Sequence, residues 1–231
     1  MQLLVINPNT TASMTRKIGA AAQSVALPNT EIVAVNPENG PASIQGYYDE
    51  AICLAGLLQV VENNPQADAI ILACFDDTGL DAVRCISDKP VVGIGEAGYH
   101  FASMLSNKFS VVTTLARSVP ALEHNLARYG LAARCAGVRA SEVPVLELEN
   151  PQSDARQKIS EEIGKAIIED KAEAIVLGCA GMADLAQSLS DEHGLPIIDG
   201  VVSAVGLCES MVRLNFRTTQ LGGYAQPLPQ S

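Results

Sequence analysis

Residues 69–80 read AIILACFDDTGL and residues 174–185 read AIVLGCAGMADL, and the likeness of these two stretches decides the fold. Each opens on a near-continuous run of apolar, partly β-branched residues, the pattern of a strand buried on both faces of a parallel sheet. Each run reaches a cysteine at its end, Cys74 and Cys179, 105 residues apart. Working outward, Pro90 with VVGIG follows 16 residues after Cys74, and Pro196 with IIDG follows 17 after Cys179. Upstream, Asn7 ends LLVIN and Thr113 ends FSVVT, 106 residues apart. Recurrence of several features at nearly one spacing marks an internal duplication. The chain reads as two homologous α/β halves, each with a cysteine at the carboxyl end of a central strand.

The remaining chain keeps the same rhythm. Candidate strands are 3–7, 31–35, 69–73, 91–94, 109–113, 142–147, 174–177 and 195–198, with helix-length segments 12–25, 48–63, 77–86, 97–105, 118–129, 154–168, 183–189 and 201–214 between and after them. Thr10-Thr11 and Ser118 stand at N-cap positions. Strand–helix alternation of this kind predicts an α/β protein with right-handed crossovers. The expected architecture is two pseudo-symmetric lobes, each a parallel sheet flanked by helices, with the site in the cleft between them. Residues 1–96 plus 207–231 form one lobe in this reading and residues 97–206 the other. The loop 36–48 (NPENGPASIQGYY) is long, follows directly on a strand, and is read as a rim or lid over the strand ends. The tail 220–231 is read as an extended arm.

Composition narrows the function classes. The 231 residues carry 15 Lys+Arg against 26 Asp+Glu, a net charge of −11, with no basic block, which argues against nucleic acid as a partner. No apolar run is long enough for a membrane span, so no membrane association is expected. The start MQLLVINPNT lacks the basic and long apolar regions of a secretory signal. Six cysteines stand without a CxxC pair, which fits neither a disulfide scaffold nor a zinc module, and the protein is read as cytoplasmic with reduced thiols. His100, His124 and His193 have no metal-ligand spacing, and no metal is expected. GIGEAG (93–98) has the glycine spacing of a dinucleotide loop without its acidic partner, and Gly95 and Gly98 are read as allowing a tight strand-to-helix turn.

Ligands of open parallel sheets bind outside the carboxyl ends of the strands. Two thiols there, approaching a shared cleft from opposite halves and each preceding a helix N-terminus that favours a thiolate, make a pair of acid/base groups. Cys53, Cys85, Cys135 and Cys208 lack symmetry partners and are assigned to packing. One thiolate removes a proton from one face of a carbon acid while the opposing thiol delivers one to the other face. That is the requirement of stereoinversion, and a thiol reference pKa of about 8.5 lets both forms coexist near neutrality. The enolate so formed needs donors at its oxygen, and backbone N–H groups following each cysteine are the natural supply.

The segments INPNTTASMT (6–15), ACFDDTGL (73–80), FSVVTTLARSVP (109–120), EAIVLGCAGM (173–182) and IIDGV (197–201) closely resemble the hydantoin racemases, including the allantoin racemase branch, of the Asp/Glu/hydantoin racemase superfamily. The resemblance runs over nearly the whole chain. It implies Cys74 and Cys179 as the two bases, a 5-monosubstituted hydantoin ring held around Asn7, Phe75, Thr113, Thr114, Ala180 and Gly181, no cofactor, and a homo-oligomer. Amino-acid racemases of the superfamily resemble one another in Asn-Thr after the first cysteine and Thr-His after the second. Here Phe75-Asp76 and Ala180-Gly181 follow instead, a less polar second loop suited to a neutral ring, with Arg117 left as a cation within reach of the cleft. An Asp/Glu-type racemase, a decarboxylase on the same scaffold, and a two-lobed binding protein are the alternatives. A decarboxylase needs one cysteine, so the pair favours racemisation. Asp76 is read as a hydrogen-bond acceptor for Cys74 rather than its activator, since a carboxylate raises a neighbouring thiol's pKa, and Asp77 as a helix cap.

Overall fold

The computed structural model describes residues 1–228, and the last three residues of the tail lie outside the described part. The strands are β1 (Gln2–Ile6), β2 (Glu31–Val35), β3 (Ala69–Leu72), β4 (Val91–Gly93), β5 (Phe109–Thr113), β6 (Cys135–Ala140), β7 (Ala174–Gly178) and β8 (Ile197–Ile198). The helices are α1 (Ala12–Val25), α2 (Tyr47–Glu62), α3 (Leu80–Ile86), α4 (Ile94–Leu105), α5 (Val119–Arg128), α6 (Ala155–Glu169), α7 (Ala186–His193) and α8 (Gly200–Arg213). They build two four-stranded parallel sheets of matching order, β2-β1-β3-β4 and β6-β5-β7-β8. The α/β reading and the two-sheet duplication therefore describe the molecule.

In each sheet the chain leaves the first central strand for one edge and returns on the other side. The direction of winding thus reverses between β1 and β3, and again between β5 and β7. Such switch points leave a crevice at the carboxyl ends of the strands, because successive crossovers diverge there. Strand period 2 separates the faces: Leu3, Val5 and Ile71 join Val111 and Val176 in one central cluster, while Leu4, Ile6, Ile70 and Leu72 face α2 and α3. On the second sheet Val112, Ile175 and Leu177 turn outward to Ile159 and Ile163 of α6. The helices that follow the last strand of each sheet change sides. α4 packs on β7 and β8, α8 packs on β3 and β4, and the two cross each other. A Cβ added at Gly98 would lie 3.7 Å from the Gly200 Cα, a measure of how closely the crossing is packed.

Several expected boundaries move. No strand forms over 142–147; the sheet's edge strand is Cys135–Ala140. Glu142 adopts φ +54° and Pro144 lacks an N–H, so the alternating EVPVLE runs instead into a 3₁₀ turn at Val145–Glu149. The helix expected from Asp77 begins only at Leu80, because Asp77 (φ +54°) and Gly79 (φ +78°) are both left-handed. Residues Ala180–Leu185 form a 3₁₀ segment ahead of α7, and α4 starts three residues earlier than expected, at Ile94. Thr11 and Ser118 hold the N-cap positions without capping; the Thr11 hydroxyl donates to the Ala42 carbonyl at 2.6 Å. The tail turns once in 3₁₀ form at Gly222–Tyr224 beside α3, and Gln220 Nε2 donates to the carbonyls of Arg84 and Ser87.

Candidate active site

The two switch points face one cavity. It is lined from the first sheet by Asn7, Ala73, Cys74 and Phe75, and from the second by Thr113, Thr114, Gly178, Cys179 and Ala180. Ile44, Leu122 and Val145 close its apolar walls. It holds about 470 Å³ of non-atom space, part of it continuous with solvent. Cys74 lies two residues past β3 and Cys179 one past β7, rather than at the last strand positions themselves. Both thiols are half-buried, and all six cysteines are free.

The two cysteines have unlike surroundings. Cys74 Sγ donates to Asp76 Oδ1 at 2.7 Å, and the same oxygen accepts from the Thr78 hydroxyl at 2.7 Å. Burial first, and the Asp76 charge second, push the Cys74 thiol well above its ordinary range. Cys74 does not begin a helix: the chain turns through an Asp77 N–H to Cys74 C=O bond at 3.0 Å and stays irregular to Leu80. Cys179 does stand at a helical N-terminus, that of the 3₁₀ segment Ala180–Leu185. Burial pushes its thiol up to about 11, against the pull of the Gly181 N–H and the Lys17 ammonium. Lys17 of α1 reaches over from the first half, its Nζ donating to the carbonyls of Leu148 (3.0 Å) and Gly181 (3.4 Å) and pairing with Glu149 and Asp184, each at 3.5 Å. A Cβ at Gly181 would stand 3.7 Å from Cys179 Sγ and 2.8 Å from a Leu148 methyl, which would have to shift to admit it.

The other residues expected at the site divide by what their polar atoms already do. Asn7 Nδ2 donates to Asn9 Oδ1 (2.9 Å) and Thr15 Oγ1 (3.0 Å), so its amide orders the loop below the cavity. The Thr113 hydroxyl donates to the Gly178 carbonyl at 2.9 Å, tying β5 to β7 beside Cys179. Thr114 is buried and lines the cavity. The Phe75 ring packs edge-on against Tyr99, centroids 5.2 Å apart. Ala180 lines the wall, and Gly181 faces it only through Cys179. Asp77 caps a helix, though not its own: its carboxylate accepts from the Gly95 and Glu96 N–H groups at the start of α4 (2.9 and 2.8 Å) and from the Tyr129 hydroxyl at 2.7 Å.

Several lining residues were not singled out for the site by sequence. Asn9 and Ser118 line the cavity with polar groups, Ile44 comes from the rim loop, which carries no periodic signal, and Val145 comes from the alternating EVPVLE stretch. Asn9 stands inside the INPNT segment, where its spacing from Asn7 was readable. Arg117 packs beside Gly46 on the rim, where a Cβ would meet its Nε at 3.2 Å, and it does not line the cavity. Among the described residues that do, none is Lys or Arg, leaving Asp76 as the charged group in the wall. The rim loop crosses the cleft: Thr10 and Thr11 bond Pro41 and Ala42, and the Val145 N–H donates to Gln45 Oε1 at 3.2 Å. Among the described residues there is no cluster of His, Cys, Asp and Glu fit to hold a metal, and no helix long and apolar enough to cross a membrane.

Residues 3–208 match the family model described as Asp/Glu/Hydantoin racemase. A hydantoin racemase of Pseudomonas sp. (strain NS671) is 44% identical over 229 residues, covering 98% of this chain and 92% of its own length. An allantoin racemase from Klebsiella pneumoniae superposes with a TM-score of 0.97 at 45% identity, over 100% of this chain and 95% of that one. A glutamate racemase from Bacillus anthracis shares the fold at 16% identity, with a TM-score of 0.68 over 92% of this chain and 82% of its own.

Proposed function

Because the chain belongs to the Asp/Glu/hydantoin racemase family, we propose that it interconverts the D and L forms of 5-monosubstituted hydantoins, allantoin among them, with Cys74 and Cys179 as the paired acid and base. The observation that carries this reading is a single cavity, free of Lys and Arg among its described lining residues, into which both switch points present a thiol. A zwitterionic amino acid finds no cation there for its carboxylate, whereas a neutral ring meets apolar walls and a few polar groups.

Donor and acceptor logic sets the resting state. A sulfur 2.7 Å from a carboxylate oxygen must carry the proton between them, so Cys74 waits as the thiol. Cys179, facing the Gly181 N–H and the Lys17 charge, is the group that gives up its proton. Cys179 as thiolate takes the C5 proton from one face, and Cys74 returns a proton to the other. Negative charge passes to the ring carbonyl in between, and backbone N–H groups after the cysteines stabilise it. The opposite enantiomer runs through the reverse assignment. The same reading makes the enzyme cofactor-independent and homo-oligomeric, as the family resemblance implies, and cytoplasmic, in keeping with its free cysteines.

A panel of single-enantiomer allantoin, 5-benzylhydantoin and 5-isopropylhydantoin, followed by circular dichroism, tests it. Decay of the optical signal with the compound intact is expected. Release of carbon dioxide indicates a decarboxylase, and saturable binding without turnover a binding protein. Cys74→Ser and Cys179→Ser are each expected to lower racemisation by about 10²- to 10⁴-fold, while retaining solvent deuterium exchange from one enantiomer only. Racemisation near the wild-type rate in both variants would falsify the two-thiol mechanism.

A further inference from the structure

Two-base racemisation leaves the enzyme in the wrong state for a second turnover in the same direction. After Cys179 has taken a proton and Cys74 has given one, Cys74 must be reprotonated and Cys179 deprotonated before the same enantiomer binds productively again. Asp76 lies where that exchange needs a conduit. It lines the substrate cavity beside Cys74, and it also lines a second cavity that opens to the surface on the far side, with Glu50, Tyr47, Thr78, His124 and Arg128. It therefore stands in the wall shared by the substrate cavity and the outer one. Behind it stands Glu50 of α2, in hydrogen-bonding reach of Asp76, with Oε1 buried and without a donor. Two carboxyl groups in that arrangement, one with an orphaned buried oxygen, are satisfied by a proton held between them.

We propose that Glu50 and Asp76 form a proton relay from the outer cavity to Cys74, which resets that thiol between turnovers. The inference rests on the two-thiol reading and adds the step that reading leaves open. Glu50 gives its carboxyl proton to the Asp76 carboxylate, and the Asp76 carboxylic acid so formed passes a proton to the Cys74 thiolate. The S–H bond forms, the Glu50 O–H bond breaks, and Glu50 is reprotonated from water in the outer cavity. Cys179 loses its proton to water at the mouth of the inner cavity, so the cycle closes with no net proton gained. Burial, and then the Asp76 charge, hold Glu50 at about 7, which suits a group that must both keep and release a proton near neutrality. Asp49 on the same helix adds its charge to the local field, whereas Cys53, pushed up to about 12, stays a neutral thiol. Across the outer cavity the Arg128 guanidinium and the His124 imidazole of α5 face Glu50. Glu50 acts through Asp76 and never on the substrate, so it is a positioning residue for the proton.

The test is Glu50→Gln in the full-length enzyme, with the panel hydantoin that the wild type turns over fastest. At saturating substrate and low buffer, kcat is expected to fall by at least about tenfold, while kcat/KM stays within about threefold, because only the return of the free enzyme is impaired. Raising the concentration of a small buffer acid is expected to restore kcat in the variant and to leave the wild type unchanged. Glu50→Asp, which keeps an acid, is expected to need less buffer. Equal loss of kcat and kcat/KM without buffer rescue, no loss in either, or a wild-type kcat that already depends on buffer overturns the relay. These outcomes are separate from failure of the two-thiol reading, which the two cysteine variants report on their own.

Discussion

Cys179 faces the Gly181 N–H and the Lys17 ammonium while Cys74 faces the Asp76 carboxylate, and at the scale of single residues that difference governs how activity responds to pH. Burial holds Cys179 up to about 11, and burial together with the Asp76 charge raises Cys74 well above its ordinary range. The base of the resting enzyme must be deprotonated, so below about pH 11 the competent fraction grows with pH. kcat/KM is expected to climb by close to tenfold per pH unit from neutrality toward pH 10. A flat profile across that range contradicts the assignment of Cys179 as base. Lys17→Met removes the cation that favours the thiolate, shifting the rise to higher pH and lowering kcat/KM at pH 7, while a purely structural role for Lys17 leaves its midpoint in place. The cysteines themselves were legible in sequence because duplication put them at matched positions. Lys17 was not, since nothing about one lysine on a helix reports that it reaches the carbonyls of Leu148 and Gly181 in the other half.

At the scale of elements, the two halves solve one capping problem in different ways. Asp199 is the N-cap of α8 and accepts from the Val202 N–H at 2.8 Å. Ile94 stands 105 residues earlier, and α4 takes its cap from Asp77 on the Cys74 loop instead. Asp77→Ala leaves two backbone N–H groups and the Tyr129 hydroxyl without their acceptor in a buried place, at a cost of about 2–4 kcal/mol. Asp199→Ala removes an ordinary cap, about 1–2 kcal/mol. Urea denaturation of both variants checks the order, and a larger loss for Asp199→Ala contradicts it. Asp77 was readable as a cap, but its left-handed φ made the capped helix a distant one. The central strands were legible for a plain reason: β1, β3, β5 and β7 are buried on both faces and therefore apolar at almost every position. The edge strand Cys135–Ala140 was not. Its CAGVRA is only half-buried and poor in β-branched residues, so pairing with β5 makes it a strand, while EVPVLE alternates convincingly and fails at Glu142 and Pro144.

At the scale of the whole molecule, the proposed lobes 1–96 plus 207–231 and 97–206 are joined more tightly than a hinge requires. α4 and α8 each pack on the opposite sheet, and one apolar cluster takes in both sheets and both helices. Asn125 Nδ2 donates to the Asp76 carbonyl at 2.7 Å and Tyr129 to Asp77, so α5 fastens the Cys74 loop to the second sheet. Breaking either half exposes the shared cluster, and the expected thermal transition is single, with calorimetric and van't Hoff enthalpies equal; two resolved transitions contradict this. Its midpoint should depend on pH through the buried thiols. Cys53, Cys135 and Cys179 are raised to about 12, 11 and 11, and Cys74 and Cys208 are raised by burial as well. An acid whose folded pKa lies above its unfolded one binds its proton more tightly in the native state. Its contribution is whole below the unfolded thiol value of about 8.5 and is lost as pH rises through the folded values. The melting temperature is therefore expected to fall steadily from about pH 9 upward, without aggregation-dependent steps, and replacing buried Cys208 by Ala should lessen that slope even where it lowers the midpoint at pH 7. A melting temperature constant from pH 8 to 10.5 contradicts the assignment of the thiols as protonated core groups.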